Sequence, residues 1–326
     1  MRRNRSKGPG RVPDVRIFFA SDIHGSEVCF KKFLNAGKFY GVDLIILGGD
    51  ITGKAMVPIA RQPDGKFRLR FMGTERVVNA KGLEEIEESI RFNGFYPYVC
   101  DPGEVEQLMN SPKDVRHAFS SVMREQAEGW MRLADERLTG TGIRCLIMPG
   151  NDDEPFLNEV LDESACVENH DGSIIEVGDY YVAGYGWSNP TPWDTPREKP
   201  EDEIEKELRD LASRVPDMSR LVFNLHVPPY DSGLDFAPEL RPDFSMVKAG
   251  GHPNMIPVGS LAVRQVVEDF QPMLVLSGHI HESRGVTKIG DSVAINPGSE
   301  YNVGRLLGVL IDLENGRVTH NQFVVG

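Results

Sequence analysis

The sequence predicts an α/β fold whose chemistry lies beyond the carboxyl ends of its strands. Three observations lead there. Short apolar runs of strand length recur along the 326 residues, with amphipathic segments of helix length between several of them. Many of these runs end on Asp, Asn or His. The first of them reads strand, helix, strand with a carboxylate just past each strand, the arrangement in which α/β proteins form sites.

Composition sets the bounds. Hydrophobic content of 40% with 26% charged residues is ordinary for a globular chain, and the length suits one large domain or two modest ones. There are 49 acidic residues against 36 Lys plus Arg, a formal charge of -13. Such a body repels nucleic-acid backbone and anionic membrane. It leaves a small phosphate substrate open, because bound cations invert the sign locally. The four cysteines form no Cys-x-x-Cys pair, so neither a disulfide framework nor a zinc finger is expected and a reducing cytoplasm fits. Residues 1–13 carry a basic start expected to fray. The apolar run at 15–20 is too short for a signal core or a membrane span.

In order, 15–20 reads as a strand ending in Ser21-Asp22-Ile23-His24-Gly25. In extended chain, Asp22 and His24 share a side. A helix follows over 27–40, with Phe30, Phe33 and Leu34 inward. A buried strand at 43–47 ends in Gly48-Gly49-Asp50. Residues 54–142 differ: a hairpin over 60–78 with a Pro63-Asp64-Gly65 turn, an acidic helix over 83–92, and a helix from Pro112 to about 138. Phe119, Val122, Met123, Trp130 and Leu133 recur there at helical spacing and read as core. The segment holds no cluster of ligand-type residues, and is expected to pack beside the site as an insertion.

A strand at 143–148 ends in Gly150-Asn151-Asp152-Asp153-Glu154. Asn151 could be a neutral oxygen ligand, while the acidic trio could cap a helix near Pro155. Short strands at 173–177 and 180–184, a Pro-rich loop at 188–200 and a charged helix at 201–215 lead to a strand at 220–226, which ends on His226. The long loop 230–259 carries Gly250-Gly251-His252. A helix over 260–270 precedes the apolar run 273–276 and Gly278-His279-Ile280-His281. In extended chain both imidazoles would point to one place, with Gly278 permitting a tight turn. Strands at 286–289, 293–295, 306–313 and 318–325 complete the chain.

Asp22, His24, Asp50, Asn151, His226, His279 and His281 make two carboxylates, one amide and four imidazoles. That is too many donors for one metal and suits two that share a carboxylate. Mixed oxygen and nitrogen donors favour Mn, Fe or Zn over Mg or Ca.

These motifs, in this order, resemble the calcineurin-like metallophosphoesterases over most of the chain, least in 54–142. His281-Glu282-Ser283 and Asn296-Pro297-Gly298-Ser299 are most similar to the bacterial and archaeal phosphodiesterase branches. The resemblance implies one domain, a four-layer sandwich of two mixed β-sheets flanked by helices. It implies a phosphodiesterase with two divalent ions, Mn first. Asp22, His24 and His281 would hold one ion; Asn151, His226 and His279 the other. Asp50 would bridge both together with a water or hydroxide, the nucleophile, and Asn151 would also face the substrate. The sequence departs from the family at Asp152, where a His thought to protonate the leaving oxygen is usual. A carboxylate beside two cations stays ionised and is a poor acid, so activated esters should suffer least. His252 could substitute, or be a plain surface histidine; Arg284 could clamp a phosphate oxygen, or lie on the surface. The expected partner is a small phosphate ester, with nucleic acid disfavoured, no membrane and a homo-oligomer left open. A phosphomonoesterase or nucleotidase of the same fold, and a non-enzymatic protein-binding module, are the alternative readings.

Overall fold

A computed structural model of the chain describes residues 13–326; all of the tail expected over 1–13 except Pro13 lies outside them. The first strand, Val15–Ala20, shows why two sheets stack. Val15, Ile17 and Phe19 face one apolar layer, Phe18 and Ala20 another. Leu44–Leu47 repeats the alternation, with Leu44 and Ile46 on the first side and Ile45 and Leu47 on the second. Strands apolar on both faces must be covered on both faces.

One six-stranded sheet therefore runs in the order Arg317–Val325, Leu307–Glu314, Val15–Ala20, Leu44–Leu47, Arg144–Ile147, Val167–Asn169. Its last four strands are parallel and the first two pair antiparallel. The second sheet orders Gly285–Ile289, Ser292–Asn296, Leu274–Leu276, Leu221–Leu225, Tyr180–Tyr185, Ile174–Val177, parallel in the middle and antiparallel at both edges. Between them lie Ile17, Phe19, Ile46 and Leu146 of one sheet with Val182, Val222, Leu274 and Ile295 of the other. Helices Glu27–Tyr40, Pro112–Leu138 and Phe156–Asp162 cover the outside of the first sheet; Glu201–Ser213 and Leu261–Phe270 cover the second. This is the four-layer mixed sandwich.

Residues 54–142 are more ordered than the sequence suggests. The expected hairpin is three strands, Met56–Arg61, Phe67–Phe71 and Thr74–Val78, joined by Tyr96–Cys100 into a four-stranded sheet with its own core of Val57, Ile59, Leu69, Ile86 and Ile90. The helix Pro112–Leu138 instead joins the main body, where Trp130 stacks on Phe30 with centroids 4.4 Å apart. Of the stripe read as core, Met123 and Trp130 are buried and Leu133 packs half-buried against the main body, while Phe119 and Val122 are only half-buried. Among the described residues no helix is long and apolar enough to cross a membrane.

Candidate metal centre

Strands Val15–Ala20, Leu44–Leu47 and Arg144–Ile147 of one sheet and Leu221–Leu225 and Leu274–Leu276 of the other end at one place, and each is followed there by ligand-type residues. Asp22, His24 and His281 converge in one group, Asp50, His226 and His279 in a second, the ligand atoms of each lying within 4.8 Å of one another. Asp50 stands between the groups. Its Oδ2 lies 3.6 Å from His24 Nε2 and its Oδ1 lies 3.3 Å from His226 Nε2. Asn151 joins the second group, with Oδ1 2.9 Å from His226 Nε2. In the first group His24 Nε2 and His281 Nε2 stand 3.0 Å apart, and His281 Nε2 lies 3.4 Å from Asp22 Oδ1. Asp22, His24, Asp50, Asn151 and His226 are all buried.

The route to this convergence differs from simple alternation along a strand. The strands stop at Ala20 and Leu276, short of the ligands. Asp22, His24, Asp50 and His279 all take positive φ, between 38° and 63°. That left-handed backbone is costly for residues with a Cβ and gathers at functional sites. His279 and His281 consequently part, one to each group, rather than facing one point. Gly278 has no positive φ; it is needed for close approach, since a Cβ there would lie 2.3 Å from Asp22 Oδ2. A Cβ on Gly150 would likewise strike Asp50 Oδ1 at 2.2 Å.

A family model for calcineurin-like phosphoesterases matches residues 15–283. The chain belongs to that family. Uncharacterized protein MJ1162 of Methanocaldococcus jannaschii is 34% identical over 158 residues, which are 48% of this chain and 64% of that protein, so the match spans under two thirds of the relative. One solved structure overlays on 97% of this chain and 99% of its own with a TM-score of 0.59 at 17% identity. TT1561 of Thermus thermophilus does so over 96% and 98%, with a TM-score of 0.51 at 15% identity. These structural likenesses show the fold.

In this chain, neighbours outside the two groups aim the ligands. His226 Nδ1 donates to the Gly48 carbonyl at 2.8 Å, which leaves Nε2 toward Asp50. Asn151 Nδ2 donates to Thr195 Oγ1 at 2.9 Å, which turns its oxygen to the site. The His279 N–H donates to Asp22 Oδ2, and Ser299 Oγ donates to the Asp22 carbonyl at 2.6 Å. Asn296 Nδ2 donates to the Ile280 carbonyl at 2.9 Å, so the Asn296-Pro297-Gly298-Ser299 turn braces both ends of the first group.

Without cations the site holds protons. Burial drives the His226 imidazole down, but Asp50 outweighs it and holds His226 up at about 9. Burial pushes Asp22 up, yet its contact with His281 prevails and leaves it at about 2. Burial, helped by His226, lowers His279 to about 4, which makes it a neutral donor. Burial and the Asp50 charge raise Asp152 to about 6, partly opposed by Lys54. Asp152 is thus mostly ionised at neutral pH. The donor set fits divalent transition ions: buried, mixed N and O, with paired imidazole nitrogens crowded together.

Two further sequence readings fall elsewhere. His252 is exposed on a two-residue strand that pairs His252 with Ala249, and it stands outside the ligand groups. Arg284 is exposed and sets its guanidinium 4.7 Å from the Phe323 ring centroid, a cation–π contact. Three residues the sequence reading missed do reach the site. Tyr301 packs its ring 4.7 Å from that of His24, Thr195 holds Asn151, and Lys54 pairs with Asp152 at 2.7 Å. Nothing in their local sequence marks them; only the fold brings them in. The loop 188–200 that carries Thr195 also meets the loop 230–259, where exposed Trp193 and Phe244 face each other at 6.4 Å.

Proposed function

We propose that this protein is a dinuclear-metal-dependent phosphoesterase that hydrolyses phosphodiesters, with activated leaving groups preferred. The observation that carries the reading is Asp50, whose two oxygens face two separate ligand groups. Asp22, His24 and His281 would hold one ion; Asn151, His226 and His279 the other; Asp50 both. Two divalent cations, when bound, supply Lewis-acid polarisation of the phosphoryl group and acidify a water nucleophile. The protein's own groups then do three things. The Gly48 carbonyl and Thr195 fix the donor faces of His226 and Asn151. The Asp152 N–H, 2.9 Å from Asp50 Oδ1, keeps that carboxylate between the groups. Asp152, ionised and paired with Lys54, is a poor proton donor, which favours departing groups that need no proton.

The test is metal content together with hydrolysis of bis-p-nitrophenyl phosphate, before chelation, after it, and after Mn²⁺ is returned. Near two ions per chain, with turnover lost on chelation and regained with Mn²⁺, is the expected result. A folded protein that binds no metal and turns nothing over would end the enzymatic reading.

Metal binding is expected to strengthen with pH. The folded-state value of His226 lies above its ordinary 6.5, so in the metal-free protein its stabilising proton is fully present below about 6.5 and is lost as pH rises through about 9. A cation must displace that proton, so affinity gains roughly tenfold per pH unit across the window. The rise in Tm on adding saturating Mn²⁺ will therefore be larger at about pH 8.5 than at about pH 6.5. Equal shifts at both would show that His226 carries no displaceable proton.

A further inference from the structure

We propose that Glu198, acting through Thr195, is the positioning residue that decides which end of the Asn151 amide faces the second ligand group. This rests on the metal-dependent reading above. An asparagine ligates a cation only through its oxygen, yet the two ends of the amide have nearly the same shape. Packing alone does not choose between them, so hydrogen bonding must. Asn151 Oδ1 lies 2.9 Å from His226 Nε2, and Nδ2 lies 2.9 Å from Thr195 Oγ1. A second contact of Nδ2, with Asp152 Oδ1, is long at 3.5 Å. A threonine hydroxyl has one proton to give and two lone pairs to offer. With that proton free, Thr195 could donate to an amide oxygen and hold Asn151 the wrong way round. Glu198 removes the choice, because Thr195 Oγ1 donates to Glu198 Oε1 at 2.6 Å. Toward Asn151 the Thr195 oxygen then only accepts. The NH2 turns to it, and the carbonyl oxygen turns to the ligand group.

Glu198 acts purely as an acceptor. Its oxygens also take the Thr195 N–H at 2.9 Å, the Thr191 N–H at 3.0 Å and the Thr191 hydroxyl at 2.6 Å. Among the described residues no lysine or arginine pairs with it; Arg197 turns to Asp171 at 2.5 Å and Lys199 to Glu207 at 2.6 Å. Burial pushes the Glu198 carboxyl up, but the Thr191 and Thr195 donors prevail and hold it below the usual range. Its neighbour fixes where it stands. The Arg197 guanidinium is buried 4.6 Å from the Trp187 ring centroid, and the Arg197 N–H donates to the Asn151 carbonyl at 3.1 Å. The loop and the Asn151 turn are thus tied by backbone beside the Glu198–Thr195 pair. A charged acceptor also polarises the bonds in line with it, so the Asn151 oxygen carries more negative charge toward a cation. A glutamate that receives four donors would also close this loop without regard to Asn151. The two roles part in one consequence. Orientation matters only while the two ends of residue 151 differ. With Asn151→Asp both ends are oxygens, so a role in orientation vanishes and a role in loop shape remains.

The experiment titrates Mn²⁺ by calorimetry into the full chain stripped of metal. Wild type is expected to take two ions. Thr195→Val and Glu198→Gln will each weaken one of them about tenfold to a hundredfold and leave the other nearly unchanged. Thr195→Ser keeps the hydroxyl and will bind like wild type. Glu198→Gln will add nothing to Thr195→Val, because it acts through that hydroxyl. In an Asn151→Asp chain the same two substitutions will cost less than about threefold. Glu198→Asp keeps the charge but ends one methylene short of Thr195; it will behave as Glu198→Gln does, and decides the matter if that variant does not fold. Both affinities within about threefold of wild type, in Thr195→Val or in a folded Glu198 variant, overturn the assignment. So does an equal loss in the Asn151→Asp chain, which would reduce Glu198 to shaping the loop. A folded wild type that takes fewer than two ions defeats the dinuclear reading itself. Where wild type takes two ions and hydrolyses diesters while the variants bind as it does, that reading stands and this inference alone fails.

Discussion

Asp50→Asn will lose bound metal and about three orders of magnitude in kcat. The carboxylate faces both ligand groups, Oδ2 toward His24 and Oδ1 toward His226. An amide offers one oxygen, no charge and an NH2 that repels a cation, so at least one ion is held too weakly to stay. Losing about 4 kcal/mol of charge stabilisation in the transition state corresponds to roughly a thousandfold. The variant carries a second signature that needs no substrate. Asp50 is the strongest influence holding His226 up against burial. Without it the imidazole drops toward the neutral range, and the growth with pH of the metal-induced Tm rise will flatten. Metal analysis, turnover and melting curves at two pH values check the three parts. Two tightly held ions with near-normal turnover in Asp50→Asn would show that the two groups do not share this carboxylate.

What was legible in the sequence follows from how each residue is placed. The sheet strands are short apolar runs, so Val15–Ala20, Leu44–Leu47 and Leu221–Leu225 could be read directly, and with them the Asp and His residues just beyond. The local reason given for those residues was different from the real one. Alternation along a strand needs extended backbone, and Asp22, His24 and His279 are left-handed. Such a conformation is dictated by the neighbours, through crowding like that at Gly278, and leaves no pattern in the chain. Strands Tyr96–Cys100 and Val167–Asn169 escape the sequence reading because one carries Pro97 and the other is a three-residue edge with only one apolar residue. Thr195 sits in a loop and Tyr301 in a 3₁₀ turn, both far along the chain from the residues they touch. Their roles arise only when Tyr185 and Leu225 pair and the two sheets stack. Lys54 sits close to Asp50 in sequence, but its partner Asp152 lies across the insertion.

Asp153→Ala will destabilise the protein by about 3–5 kcal/mol and lower its Tm by roughly 5–10 °C. This second acid of the Asn151-Asp152-Asp153 run was read as one of three that could cap the following helix. The structure gives it another task. It is fully buried, and its oxygens accept from the Gly150 N–H at 2.8 Å, the Ile51 and Thr52 N–H groups at 3.0 and 2.8 Å, and the Thr52 hydroxyl at 2.6 Å. It therefore ties the turn carrying Asp50 to the turn carrying Asn151. Burial and the nearby Asp50 charge raise its carboxyl above the usual range, while the four donors counter that and keep the charged form usable. Removing it strands those donors inside the protein, where each unsatisfied group costs free energy. Asp153→Asn will be hurt almost as much, because its NH2 meets donors where an acceptor stood. Both variants will also bind metal less tightly, since two turns that supply ligands to the centre lose their common anchor. A thermal melt within about 2 °C of wild type for Asp153→Ala would mean that water takes over the four donors without loss.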